Sequence, residues 1–206
     1  KTPLIYRLNI SGTRKLLAPF KGLATGAAIS PDGRSCALIL SYQGNPELYI
    51  LDFATSRVKR MTETRFGSEA SPCWSPDGRR IVYVSDTTRH PQLYIVDVAT
   101  KQSTRLTTEG VENVNPDWGT DGRITWASKR ADGYRICVMD PDKGAASTQF
   151  VTTGGTWEHP SWARDNRHIV ASRDGALFIL DSMPDGDQPV RLFGNAGNWM
   201  NPAWSR

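Results

Sequence analysis

"CWSPDGRRIVYVSD", residues 73–86, returns in altered form along the chain. "AISPDGRSCALILS" stands at 28–41, "DWGTDGRITWAS" at 117–128 and "SWARDNRHIVAS" at 161–172, and the sequence ends on "AWSR". Aligned on the residue before the turn, the copies fall at Ile29, Trp74, Trp118, Trp162 and Trp204, with spacings of 45, 44, 44 and 42. Self-similarity at this period is the size of four short strands joined by tight turns.

The second copy spells out the unit. "SEASPCWS" (68–75) reads as a first strand and "PDG" (76–78) as a turn, with Pro presetting φ and Gly supplying a conformation other residues resist. "RIVYVS" (80–85), rich in β-branched and aromatic residues, is a second strand. "QLYIVDVA" (92–99) alternates only partly, as expected of a strand covered on both faces, and "TRLTT" (104–108) is a short polar fourth strand. No stretch carries the three-and-four spacing of a helix over ten positions.

Four such units cover approximately 23–66, 67–110, 111–155 and 156–196. "PLIYRLNI…KLLAPF" (3–20) matches a third and fourth strand, and "NPAWSR" (201–206) matches a first. The expectation is an all-β chain forming a single β-propeller domain over 1–206, built from four-stranded blades. About five blades are visible: four complete units, and a closure blade from 1–22 and 197–206 that lacks one strand. A fragment of a six-bladed ring is consistent with this, and Lys1 is not a natural start, so residues upstream are expected to be missing.

Composition narrows the function classes. With 38% hydrophobic and 22% charged residues the chain belongs with globular rather than disordered sequences. No apolar run approaches the roughly 18 residues of a spanning helix, so membrane insertion is not expected. The net charge of +4 is scattered, with no basic run longer than two, which argues against a nucleic-acid surface. Cys36, Cys73 and Cys137 each fall in an expected strand, fit no metal or redox spacing and read as small apolar fillers.

The order "WSPDG", "LYIVDVAT", "TRLTT", with "NPAWSR" at the end, resembles the propeller repeat of TolB-type proteins over nearly all of the chain. Related blades occur in the non-catalytic domain of prolyl-oligopeptidase-like hydrolases and in many bacterial surface and periplasmic proteins. The resemblance implies a periplasmic, non-enzymatic scaffold of the cell envelope, without a cofactor. In that Tol-Pal-type system a channel mouth of the propeller receives a Pal-type peptidoglycan-associated lipoprotein, and the amino-terminal end engages TolA. TolB propellers have six blades, of which about five are expected here, and a separate amino-terminal α/β domain that does not fall within this sequence. The alternative is the propeller of a prolyl-oligopeptidase-like serine hydrolase whose catalytic domain lies outside this chain.

Candidate site residues come from geometry, since no family contact carries over residue by residue. In a propeller the first strands line the channel, and the loops before them open on one rim, opposite the Pro-Asp-Gly turns. The copies disagree on that rim, which is where a repeat scaffold carries binding. Just before Pro-x-Trp stand Ser71, Asn115, His159 and Asn201, and two residues earlier Glu69, Asn113, Trp157 and Trp199. Glu158 adjoins His159. These nine are the expected channel-mouth set, with the two Trp also able to pack between blades. Asp32, Asp77 and Asp121 are expected to bond their own turns.

Catalysis finds no support. Gly-x-Ser-x-Gly, a phosphate-cradling loop and His-x-x-x-His are all missing from the sequence. His159 and Glu158 are neighbours on a strand and point to opposite faces. His159 with amides is a weak metal set, so neither catalytic nor metal residues are assigned. "GTDGRITW" (119–126) has the outline of a sialidase aspartate box, but Arg123 stands where glycine is needed.

Overall fold

Each turn of the repeat is closed by its own side chains. Ser30 Oγ donates to Asp32 Oδ1 at 2.6 Å and accepts from Ser35 N at 2.9 Å, while Asp32 Oδ1 accepts from Arg34 N at 3.0 Å. Ser75, Asp77, Arg79 and Arg80 repeat this set, and Asp121 and Asp165 keep its centre by accepting from Arg123 N and Arg167 N. The serine hydroxyl and the backbone N–H hold the Asp32 and Asp77 carboxyls below the usual carboxylate range. The turn aspartates therefore serve their own backbone.

The computed structural model describes residues 6–8, 11–16, 24–41, 44–183, 186, 188–193 and 197–204. Four four-stranded antiparallel sheets follow one another in sequence. The first contains β3 (Ala24–Ile29), β4 (Ser35–Leu40), β5 (Glu47–Asp52) and β6 (Val58–Arg60). The second contains β7 (Glu69–Trp74), β8 (Arg80–Ser85), β9 (Gln92–Asp97) and β10 (Ser103–Arg105). The third contains β11 (Asn113–Trp118), β12 (Ile124–Arg130), β13 (Gly133–Met139) and β14 (Gln149–Phe150). The fourth contains β15 (Trp157–Trp162), β16 (His168–Arg173), β17 (Ala176–Asp181) and β18 (Val190–Leu192). In each, strands pair in chain order, and each lies inside one of the units read from the sequence. The helical content of the described residues is one 3-10 turn, Ala145–Ser147.

The chain packs as two compact units, residues 1–90 with 94–104, and 91–93 with 105–206. In the first, Ala37, Ile39, Leu48 and Ile50 of one sheet meet Trp74, Ile81 and Tyr83 of the next. In the second, Ala127, Ile136 and Val138 meet Trp157, Trp162, Ile169 and Leu180. The second strands β4 and β8 each carry five consecutive buried residues, as strands covered on both faces must. Trp74 Nε1 donates to Ala28 O at 2.9 Å and so joins β7 to β3.

The chain ends depart from expectation. β1 (Tyr6–Leu8) and β2 (Arg14–Leu16) fall in the expected third- and fourth-strand segment, but they form a two-stranded sheet of their own. Residues 1–5, 9–10, 17–22, 205 and 206, also part of the expected closure blade, lie outside the described residues. The first strand expected at 201–206 is not formed over Asn201–Trp204. A strand persists only in a ladder, and no described strand pairs with this segment; Trp204 N instead donates to Ser161 Oγ at 3.3 Å. Trp74, Trp118 and Trp162 are buried, whereas Trp204 is 39% exposed.

Candidate functional site

Ser71, Asn115, His159 and Asn201 share a backbone state before they share any chemistry. Their φ angles are 47°, 54°, 52° and 53°, and Gly26, the equivalent in β3, has 54°. At the first four positions in chain order (Gly26, Ser71, Asn115, His159) the ladder between first and second strands shifts register, so each residue is a β-bulge. The left-handed region is easiest for Gly, and Asn and His are enriched there among other residues. Part of the polar character read as a binding ring thus has a backbone cause. In the first unit the bulges adjoin: a Cβ on Gly26 would meet Pro72 Cδ at 3.0 Å and Ser71 N at 3.5 Å. In the second, β11 packs against β15, each with its bulge.

Two residues earlier the picture changes. Glu69, Asn113 and Trp157 are buried, and each closes a clasp rather than facing solvent. Asn113 Nδ2 donates to Gln92 Oε1 at 2.9 Å and to Glu109 O at 2.8 Å, and its Oδ1 accepts from Trp126 Nε1 at 2.7 Å. Trp157 packs edge-on against Phe178 at 5.1 Å, with the Arg173 guanidinium 5.1 Å over its ring. A threonine seals each clasp. Thr62, Thr107 and Thr152 accept from Leu48 N, Leu93 N and Ile136 N, each at 2.9 Å.

The first clasp is acidic. Glu47 and Glu69 are only 1% and 3% exposed, and their carboxyls lie within hydrogen-bonding reach of each other. Thr62 Oγ1 donates to Glu47 Oε2 at 2.6 Å, and Thr64 N, Thr64 Oγ1 and Arg60 Nη2 reach Glu47 Oε1 at 2.6, 3.0 and 3.3 Å. Glu69 has far less: Ser85 Oγ donates to Oε1 at 3.0 Å, and no donor reaches Oε2. Burial first, and then the neighbouring Glu47 charge, push the Glu69 carboxyl up to about 8. A cavity of about 450 Å³ opens beside these donors, lined by Arg60, Thr62, Thr64, Tyr83, Ser85 and Tyr94 among others.

The remaining candidates are more open. Trp199 is 45% exposed and lies 5.6 Å from Phe193, ring to ring; Phe193 and Met200 are exposed beside it, as is Asn201. Glu158 and His159 are half-buried. His159 Nδ1 lies 3.5 Å from Ser172 Oγ, but that hydroxyl is buried and donates to Glu158 O at 3.1 Å. It is a structural hydroxyl, unlike an activated nucleophile.

A polar group absent from the sequence reading stands near Glu158. Tyr134 OH donates to Glu112 Oε2 at 2.5 Å, and Lys129 Nζ pairs with Glu112 Oε1 at 2.7 Å. Desolvation and then the Glu112 and Glu158 carboxylates push the Tyr134 phenol up. The β12–β13 register sets Lys129 opposite Tyr134, and Lys129 N donates to Glu112 O at 2.8 Å, so no linear motif announces the group. Among the described residues, no three His, Cys, Asp or Glu side chains are grouped to hold a metal ion, and no helix is long and apolar enough to cross a membrane.

Comparison with known proteins matches a family model described as the TolB beta propeller domain to residues 1–206. The chain belongs to the TolB β-propeller family. Its fold is accordingly a TolB-type β-propeller of four-stranded blades. TolB from Acinetobacter baumannii is similar at 30% identity and a TM-score of 0.83, over 98% of this chain and 51% of that one. A putative TolB from Agrobacterium tumefaciens is similar at 24% identity and a TM-score of 0.79, over 97% and 77%. The chain thus spans about half the length of the Acinetobacter TolB. A puromycin hydrolase (S511A mutant complexed with PGG) shares the fold alone, at 18% identity and a TM-score of 0.65, over 82% of this chain and 29% of that one. No curated protein matches the sequence.

Proposed function

We propose that this TolB-type propeller is a non-enzymatic scaffold of the bacterial cell envelope, working in the periplasm, that docks a Pal-type peptidoglycan-associated lipoprotein. One observation carries the reading: Trp199 and Met200, just before Asn201, are exposed, as is Phe193 directly after β18, its ring 5.6 Å from that of Trp199. Exposed aromatic and thioether side chains beside polar groups have the composition of a protein-binding hot spot. Family membership favours the envelope setting. The hydrolase alternative draws on likeness of fold at 18% identity.

Calorimetric titration with the periplasmic domain of the Pal-type lipoprotein from the same organism tests this. Micromolar or tighter binding is expected, weakened at least tenfold, about 1.4 kcal/mol, by Trp199→Ala and to a lesser degree by His159→Ala. Binding unaffected by both substitutions would move the site elsewhere. No heat from a folded chain would overturn the partner.

A further inference from the structure

We infer that Glu47 and Glu69 form a proton-binding site, a carboxyl–carboxylate pair sharing one proton that fastens β5 to β7 inside the first unit. The inference is independent of the lipoprotein reading. It starts from counting donors. Glu47 receives four hydrogen bonds, one of them from the Arg60 guanidinium, which is what a buried carboxylate needs. Glu69, equally buried, receives one from Ser85. Its second oxygen meets no donor, and the Glu47 carboxyl lies within hydrogen-bonding reach of the Glu69 carboxyl. Two carboxylates at that separation repel; with one proton between them the contact becomes an O–H···O⁻ hydrogen bond.

Among the described residues, the surrounding charges leave no other neutraliser. On β6, Arg60 is committed to Glu47 and also reaches exposed Glu63, in the segment after β6, at 3.6 Å. On β8, Tyr83 faces both carboxyls, and burial pushes its phenol up to about 12, so it stays neutral. Asp86, beyond β8, adds a further negative charge toward Glu69. Tyr94 on β9 stacks on Tyr83 at 5.9 Å. With Glu47 and Glu63 sharing the Arg60 guanidinium and Asp86 adding its charge, the protonated form of Glu69 is favoured.

The repeat supplies its own control. At the equivalent places in the second unit stand Gln92 and Asn113, where an amide N–H makes the bond, at 2.9 Å, that a proton must make between Glu47 and Glu69. Thr62 and Thr107 perform the same task beside them, donating to Glu47 and Gln92 at 2.6 and 2.9 Å. The two clasps share geometry and differ in whether closing them consumes a proton.

An unfolded Glu69 ionises near 4.5 and the folded one near 8. Folding therefore takes up a proton between those values. Stability is greatest on the acid side and falls with rising pH, by roughly tenfold in the folded-to-unfolded ratio per pH unit, levelling above about pH 8. The test has two arms. In the first, infrared difference spectra of the wild-type chain between about pH 6 and about pH 9.5 should show a protonated carboxylic acid carbonyl band lost on the alkaline side and missing in Glu69→Gln. Lack of that band at about pH 6 overturns the pair. In the second, urea midpoints are compared for wild type and Glu47→Gln/Glu69→Asn, which copies the amide clasp. The wild-type midpoint should drop across the window while that of the double variant stays level, any histidine contribution being common to both. Parallel profiles overturn the proposal.

Discussion

Gly26 is the one bulge residue without a side chain, and the structure says why. Its φ of 54° is strained for any L-residue, and the space a methyl would occupy is held by Pro72 Cδ at 3.0 Å and Ile39 Cγ1 at 3.3 Å. Gly26→Ala is expected to cost about 1–3 kcal/mol in urea denaturation, combining left-handed strain with overpacking. Asn115→Gly makes the opposite case, since glycine takes that backbone freely; its stability should change by less than about 1 kcal/mol. Any loss of partner binding in Asn115→Gly would then belong to the side chain, whereas unchanged binding would leave Asn115 as a bulge former. Sequence alone shows Ser, Asn, His and Asn in register and invites a functional reading. The φ angle that selects them leaves no trace that one copy, or four, can separate from a taste for polarity.

Among the elements, the hairpin around Pro-Asp-Gly was legible almost to the residue. "RIVYVS" is β8, because Ser75 and Asp77 fix the turn with bonds made within seven residues of chain. The fourth strand was less so. "TRLTT" was read as a strand to 108, yet β10 stops at Arg105 and Thr107 turns its hydroxyl to Leu93 N and Gln92. That partner is some fifteen residues away, and a local pattern cannot announce it. The same applies to Glu69, Asn113 and Trp157, which alignment placed at an open mouth and packing places inside clasps. Asn113→Ala should reveal the difference. It strands Trp126 Nε1, takes the donor from Glu109 O and leaves Gln92 Oε1 with Thr107 alone, so a loss of about 2–4 kcal/mol is expected from chemical denaturation. A loss under about 0.5 kcal/mol would mean the clasp is not what holds β11 in place.

At the scale of the molecule, three buried thiols report on opening. Burial pushes the Cys36 thiol up to about 11 and the Cys137 thiol up to about 12, so neither offers thiolate at neutral pH. Cys36 lies in the first compact unit and Cys137 in the second. In variants that keep one of the two thiols, with the remaining cysteines changed to Ser, labelling by a thiol reagent should follow the opening of one unit. Equal protection would show the two units opening together; unequal protection would show that they part company. The repeat period and the four four-stranded sheets were legible from spacing alone, because a repeat cannot bury its faces without its neighbours. The chain ends were not, because a segment such as Asn201–Trp204 takes its structure from whatever ladder receives it.

The clasps also say where the array could be cut and spliced. Glu47 with Glu69, and Gln92 with Asn113, are partners drawn from the third strand of one sheet and the first strand of the next, joined by continuous chain. A graft that exchanges whole blades would separate each pair and set a carboxyl against an amide. One with crossovers in the β4–β5 and β8–β9 loops would carry each pair intact. The heritable cassette of this repeat is therefore offset by half a blade from the unit that meets the eye.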